Sequence, residues 1–143
     1  MTRDGVAAEE MRQIGEVAEA VGLSLRTIRH WEEMGLVLPS GRSAGGFRLY
    51  TDADAERLRL VKQMKPLGFT VEEMRDVLSI WDQLRSGDEP KEASGSLVRR
   101  LDDYTAVAAE RCDGLRAQLA AARAITDQLR AEWNGPRMKG APR

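Results

Sequence analysis

Apolar positions step by three and four along much of this chain, and the places where the step breaks divide it into elements. From Met11, the set Ile14, Val17, Ala18 and Val21 predicts a short amphipathic helix that Gly22 ends. Two residues on, Ser24 offers an N-cap hydroxyl to a second short helix, in which Leu25 and Ile28 can turn inward together. Gly35 can close that helix through positive φ. Two short helices around a tight glycine-containing turn form a helix-turn-helix unit. Pro39, Gly41, Gly45 and Gly46 then punctuate the chain, and Gly45-Gly46 between Arg42 and Tyr50 predicts a short hairpin. Two strands cannot stand alone, so the hairpin is expected to lean on the helices through Phe47 or Leu49. Thr51 and Asp54 make a capping pair for a third helix to Met64, with Leu58, Val61 and Met64 inward. Pro66 and Gly68 end it. Thr70 and Glu73 open a fourth helix, whose apolar side is Val71, Met74, Val77, Leu78 and Trp81.

Beyond this block the pattern changes twice. Residues 86–96 are polar, carry Pro and Gly and lack periodicity, which predicts a linker. Residues 97–133 then form one long helical pattern. Its stripe is Leu101, Tyr104, Ala108, Cys112, Leu115, Leu119, Ala122, Leu129 and Trp133, with a stutter at Ala108–Cys112 in an otherwise coiled-coil-like spacing. A single helix cannot bury such a stripe alone. Residues 134–143 predict a flexible tail and residues 1–10 a frayed start, which leaves residues 11–85 as the head domain.

Composition narrows the function classes. Hydrophobic content of 42 % permits a core, and a net charge of −1 argues against indiscriminate binding of polyanions. Residues 24–50 nevertheless hold four arginines (Arg26, Arg29, Arg42, Arg48) against two glutamates (Glu32, Glu33). The single cysteine fits a reducing compartment, and no apolar run is long enough to span a bilayer, so a soluble cytoplasmic protein without membrane partners is expected. One histidine, one cysteine and no phosphate-cradling or metal-binding motif leave little for catalysis, and no enzymatic activity is expected.

The second helix instead spends arginines on its free face. Arg26, Arg29 and His30 lie opposite Ile28 at i, i+3 and i+4, which is the composition of a DNA recognition helix. Arg26 and Arg29 can bond guanine O6 and N7 or clamp a phosphate, while Thr27, His30 and Trp31 are placed for phosphates, with packing against the wing the alternative for Trp31.

Ile14-Gly-Glu-Val-Ala, Leu25-Arg-Thr-Ile-Arg-His-Trp-Glu, Gly35-Leu and Gly46-Phe-Arg-Leu-Tyr-Thr, followed by Leu67-Gly-Phe-Thr-Val-Glu-Glu-Met, resemble the head of MerR-family transcription regulators. The resemblance covers most of residues 12–80. It implies a mainly α fold: a winged helix-turn-helix with a small β-wing, then a long dimerisation helix paired antiparallel with that of a second subunit. Arg42, Arg48 and Tyr50 match wing positions that grip backbone or minor groove, and Lys65 aligns with a basic phosphate contact. Where Trp31 stands, the family usually has tyrosine.

The function so implied is dimeric, sequence-specific regulation of transcription from a pseudo-palindromic operator in double-stranded DNA. Bending and untwisting of the promoter would act on RNA polymerase indirectly. Many relatives sense metals through paired thiolates. Here Cys112 stands alone on the apolar stripe, so neither a metal nor another cofactor is expected. Two other readings are an architectural or constitutive DNA binder without an effector, and a coiled-coil adaptor whose head binds protein.

Overall fold

The computed structural model of the chain describes residues 10–87 and 91–139. It divides into a head reaching to Leu101 and, from Asp102, a separate helical unit. The head opens with a short strand β1 (Arg12–Gln13), then α1 (Ile14–Val21) and α2 (Leu25–Glu33). Strands β2 (Gly41–Arg42) and β3 (Arg48–Tyr50) form the wing, and α3 (Asp52–Met64), a 3-10 turn (Lys65–Leu67) and α4 (Val71–Ser86) follow. The last element, α5 (Lys91–Lys139), runs 49 residues.

The predicted caps form. Ser24 accepts from Thr27 N at 3.0 Å, and both Thr51 with Asp54 and Thr70 with Glu73 close reciprocal capping boxes. Gly22 leaves α1 at φ 73°, and its N–H together with that of Leu23 bonds the Ala18 carbonyl. Those bonds make the turn tight enough for α2 to pack on α1, on which α3 also packs.

The wing contains one strand more than the periodicity predicted. The sheet is antiparallel in the order β1-β3-β2, and Arg12 faces Tyr50 while Arg42 faces Arg48. A helix was expected from Met11. Gln13 instead takes extended φ/ψ ahead of α1, and Arg12 bonds Asp52 at 2.6 Å, so the chain satisfies the outer edge of β3 before it coils. At the hairpin tip Gly46, at φ 84°, donates to the Ser43 carbonyl, and Phe47 N donates to Ser43 Oγ.

The core lies between α1, α2, β3, α3 and α4, around Val17, Ile28, Trp31, Tyr50, Leu58, Val61 and Ile80. Two expectations about it are corrected. Of the two residues expected to anchor the wing, Phe47 is 61 % exposed and Leu49 half-buried, while Tyr50 at the end of β3 is fully buried. On α4, Ile80 is buried, whereas Trp81 is only half-buried and lies beneath the guanidinium groups of Arg85 (4.3 Å from the ring centroid) and Arg57 (5.6 Å). Arg57 also bonds Asp54 and Asp82. Buried Asp54 meets Arg57 with one oxygen and, with the other, accepts from Thr51 N at 2.9 Å and from Ser40 Oγ at 2.5 Å.

Helix α5 begins earlier and ends later than its apolar stripe. Residues 91–96, assigned to a linker by composition, are helical, and residues 88–90 of that stretch lie outside the described residues. Buried Leu97 and an ion pair from Arg100 to Asp76 tie these first turns to the head, which favours helix over coil. Helical backbone continues to Lys139 through most of the expected tail, since extending a helix costs far less than nucleating one. The remaining tail residues, 140–143, and the start of the chain, 1–9, lie outside the described residues. Within the helix, Leu101, Tyr104, Ala108 and Cys112 are half-buried, and Ala122 is exposed. Leu115, Leu119, Ile125, Leu129 and Trp133 expose 45–64 % of their surface. Among the described residues, no helix is long and apolar enough to cross a membrane.

Candidate nucleic-acid interface

Helix α2 is amphipathic in the sense its spacing predicted. Ile28 and Trp31 are buried, and Leu25, Arg26, Arg29, His30 and Glu33 are exposed. Arg26 and Arg29 make no hydrogen bond or ion pair among the described residues, so their guanidinium donors stay available on the open face. His30 Nδ1 lies 3.9 Å from Glu33, too long for a hydrogen bond. Thr27 is half-buried, and its hydroxyl accepts from Ser24 Oγ at 2.8 Å, so the capping turn already engages it.

The wing lies beside this face, and Glu32 joins the two. Arg48 Nε donates to Glu32 at 2.5 Å, Arg42 Nη2 lies 3.6 Å from the same carboxylate, and Arg42 Nη1 donates to the Gly46 carbonyl at 3.1 Å. The positive charge of residues 24–50 is therefore unevenly distributed. It is partly neutralised by Glu32 on the wing, while Arg26 and Arg29 on α2 have no ion-pair partner among the described residues.

Two of the residues predicted to meet DNA are internal. Trp31 is 2 % exposed and Tyr50 fully buried, so neither side chain reaches a phosphate. Trp31 fills the core behind α2, with the exposed Lys65 ammonium 5.8 Å from its ring centroid. Tyr50 sits where β3 meets the helices. Neither Trp31 Nε1 nor Tyr50 Oη has a hydrogen-bond partner among the described residues. The error has a physical origin: at i+3 from Ile28, Trp31 falls on the inner face, whatever its polar atom suggests.

Sequence reasoning also missed outward residues. Leu25 was paired with Ile28 as inward, yet it is exposed at the first helical position, beyond the reach of the core. Phe47 stands out at the wing tip. Glu32 was counted only as a charge against the arginines, and its pairing with Arg42 and Arg48 was not read from the sequence.

An open arginine-bearing helix beside a β-wing defines a winged helix-turn-helix head, here followed by a long helix with an exposed apolar stripe. Comparison with known proteins gives the class its family. A sequence model described as "MerR HTH family regulatory protein" matches residues 12–80, and one described as "MerR, DNA binding" matches residues 55–131. The HTH-type transcriptional regulator ZntR of Escherichia coli (strain K12) is 36 % identical over 103 residues, 70 % of each chain. The HTH-type transcriptional regulator HmrR of Sinorhizobium medicae (strain WSM419) is 33 % identical over 90 residues, 62 % of this chain. That match spans 61 % of HmrR, less than two thirds of its length. The fold is shared with HiNmlR, a MerR family regulator lacking the sensor domain and bound to promoter DNA, at a TM-score of 0.65 and 21 % identity over 92 % of this chain and 96 % of the other. The chain belongs to the MerR family.

Proposed function

We propose that the chain is a dimeric, sequence-specific transcription regulator that distorts promoter DNA. The observation that carries this reading is the pair Arg26 and Arg29, exposed and without partners among the described residues, on a helix whose opposite face is core. A helix of this section fits the major groove, where arginine can take guanine O6 and N7 together. Arg42, Arg48 and Lys65 flank it as backbone contacts, and His30 adds a donor near the same groove edge. Leu25 and Phe47 add apolar surface for thymine methyl groups and sugars.

The stripe of α5 supplies the second subunit. Leu115, Leu119, Ile125 and Leu129 lie open to solvent in one chain, and an antiparallel copy would cover them. Two heads related by a two-fold axis require a pseudo-palindromic operator. Bending and untwisting between the half-sites would change how RNA polymerase meets the promoter, so specificity includes deformability as well as base contacts. This is a binding activity exerted in the cytoplasm, without catalysis. Among the described residues, no cluster of three or more His, Cys, Asp or Glu side chains is placed to hold a metal ion.

The test is a salt titration of the full chain on duplexes it selects from a randomised pool and on random duplex. A steep negative slope of log K against log salt on both, with tighter binding to an inverted repeat, is the expected result. Selection of no duplex, or a flat slope, overturns the reading in favour of a protein-binding head.

A further inference from the structure

Glu32 sits in the last turn of the recognition helix, yet it points at the wing. Its side chain is 18 % exposed and meets Arg48 Nε at 2.5 Å and Arg42 Nη2 at 3.6 Å. Those arginines face each other across the β2–β3 ladder. One carboxylate on α2 therefore holds both strands of the wing, through the two side chains proposed to grip the DNA backbone. The wing's base is held separately: Tyr50 is buried at the foot of β3, and Ser40, just before β2, bonds Asp54 of α3. Towards the tip, where Phe47 is exposed, Glu32 is the link from α2 that the geometry provides.

We infer that Glu32 is a positioning residue for DNA binding, which fixes the wing arginines relative to the recognition helix. The inference rests on the DNA-binding reading above. A guanidinium has five N–H donors in a rigid planar fork. Arg48 commits Nε to Glu32, and this orients the plane while its Nη groups remain for a phosphate. Arg42 is held from two sides, by Glu32 and by the Gly46 carbonyl. Orienting the forks beforehand removes rotamer freedom that binding would otherwise have to remove. The same carboxylate carries negative charge close to the DNA path, so it opposes loose, sequence-independent attraction. Fixed geometry and reduced net charge both favour a docked duplex over an arbitrary one.

Charge and geometry can be separated by experiment. Glu32→Asp keeps the charge but withdraws the carboxylate by one methylene, and Glu32→Gln removes the charge at nearly constant shape. The full-length variants, Arg48→Ala and the two double variants are titrated with salt on the selected inverted-repeat duplex and on random duplex, after melting curves show that each is folded at the assay temperature. If Glu32 positions Arg48, Glu32→Asp weakens the selected duplex several-fold although net charge is unchanged. Arg48→Ala, which in the parent lowers the salt slope by about one unit, then has a much smaller effect in either Glu32 background. If Glu32→Asp binds like the parent and Arg48→Ala is fully additive with both changes, Glu32 is only a charge and the inference is overturned. Should the parent chain itself bind no duplex, the DNA-binding reading fails instead, a separate and visible outcome.

Discussion

Lys62 Nζ donates to the carbonyl oxygen of Val21 at 2.9 Å, a bond from α3 onto the last residue of α1. The final carbonyls of a helix lack intrahelical partners, and a cation there also meets the negative end of the helix dipole. The same ammonium leaves little room at the turn, since a Cβ on Gly22 would lie 2.8 Å from Nζ. Lys62 therefore helps set the angle at which the chain enters the recognition helix.

Lys62→Met should lower stability by about 1 kcal/mol, the usual net worth of one such bond. Gly22→Ala should cost about 1–2 kcal/mol, because φ 73° strains any L side chain and the new methyl displaces the lysine. The two changes should be sub-additive in urea denaturation, because the methyl in a Lys62→Met background displaces a bond already lost. Full additivity would show that the strain is purely backbone.

Tyr50 gives a prediction in pH. Burial, and after it the nearby Glu32 carboxylate, pushes its phenol above the ordinary value of 10.0. The folded chain thus keeps a proton that the unfolded chain releases near pH 10, so stability is intact below that pH and declines as pH rises towards the folded-state value. Tyr50→Phe should remove this part of the alkaline loss. At neutral pH it should change stability by under about 1 kcal/mol in either direction, since the hydroxyl it deletes has no partner among the described residues. DNA affinity should also be unchanged. A several-fold loss on Tyr50→Phe would mean that the wing opens and offers this hydroxyl to the duplex.

The head was legible where its signals are local. Ser24, the Thr51–Asp54 and Thr70–Glu73 boxes and Gly22 each announce a helix end through a rule that spans three or four residues, and all of them form. Illegible features depend on partners distant in sequence. Strand β1 exists because Arg12 finds Asp52 and pairs opposite Tyr50, 40 and 38 positions away, which no periodicity reports. Trp31 was misread from its place beside the arginines and Tyr50 from the family's wing positions, while the rings of both carry more burial energy than a single unpaired N–H or O–H costs. Glu32 was visible as a residue but not as a clamp, since the wing arginines it meets are 10 and 16 positions downstream.

The exposed stripe of α5 predicts an assembly. Leu115→Glu with Leu119→Glu places two charges where an antiparallel partner helix would bury them, and each buried unpaired charge costs several kcal/mol. Sedimentation should show a monomer whose head melts as in the parent, with affinity for an inverted repeat falling towards that of a single half-site. A dimer of unchanged strength would move the interface off this stripe.

Arg29 and Arg48 should fail in different ways when removed. Arg29 stands on the open face of α2, one turn in, with no internal partner among the described residues, and it can reach a base edge. Arg48 lies on the wing and already gives one donor to Glu32, so what remains suits a backbone oxygen. Phosphate contacts carry no sequence information, whereas a bidentate contact to guanine does. Arg48→Ala should therefore weaken selected and random duplexes alike and reduce the salt slope by about one unit. Arg29→Ala should cost roughly 1–3 kcal/mol on the selected duplex alone and relax the preference at one base pair in each half-site. Titration of both variants on both duplexes checks this, with a half-site library to locate the relaxed position. Equal weakening of the two duplexes by Arg29→Ala would make Arg29 a phosphate clamp. Base reading would then fall to Arg26, the other exposed guanidinium on the same face, and to the deformability of the operator itself.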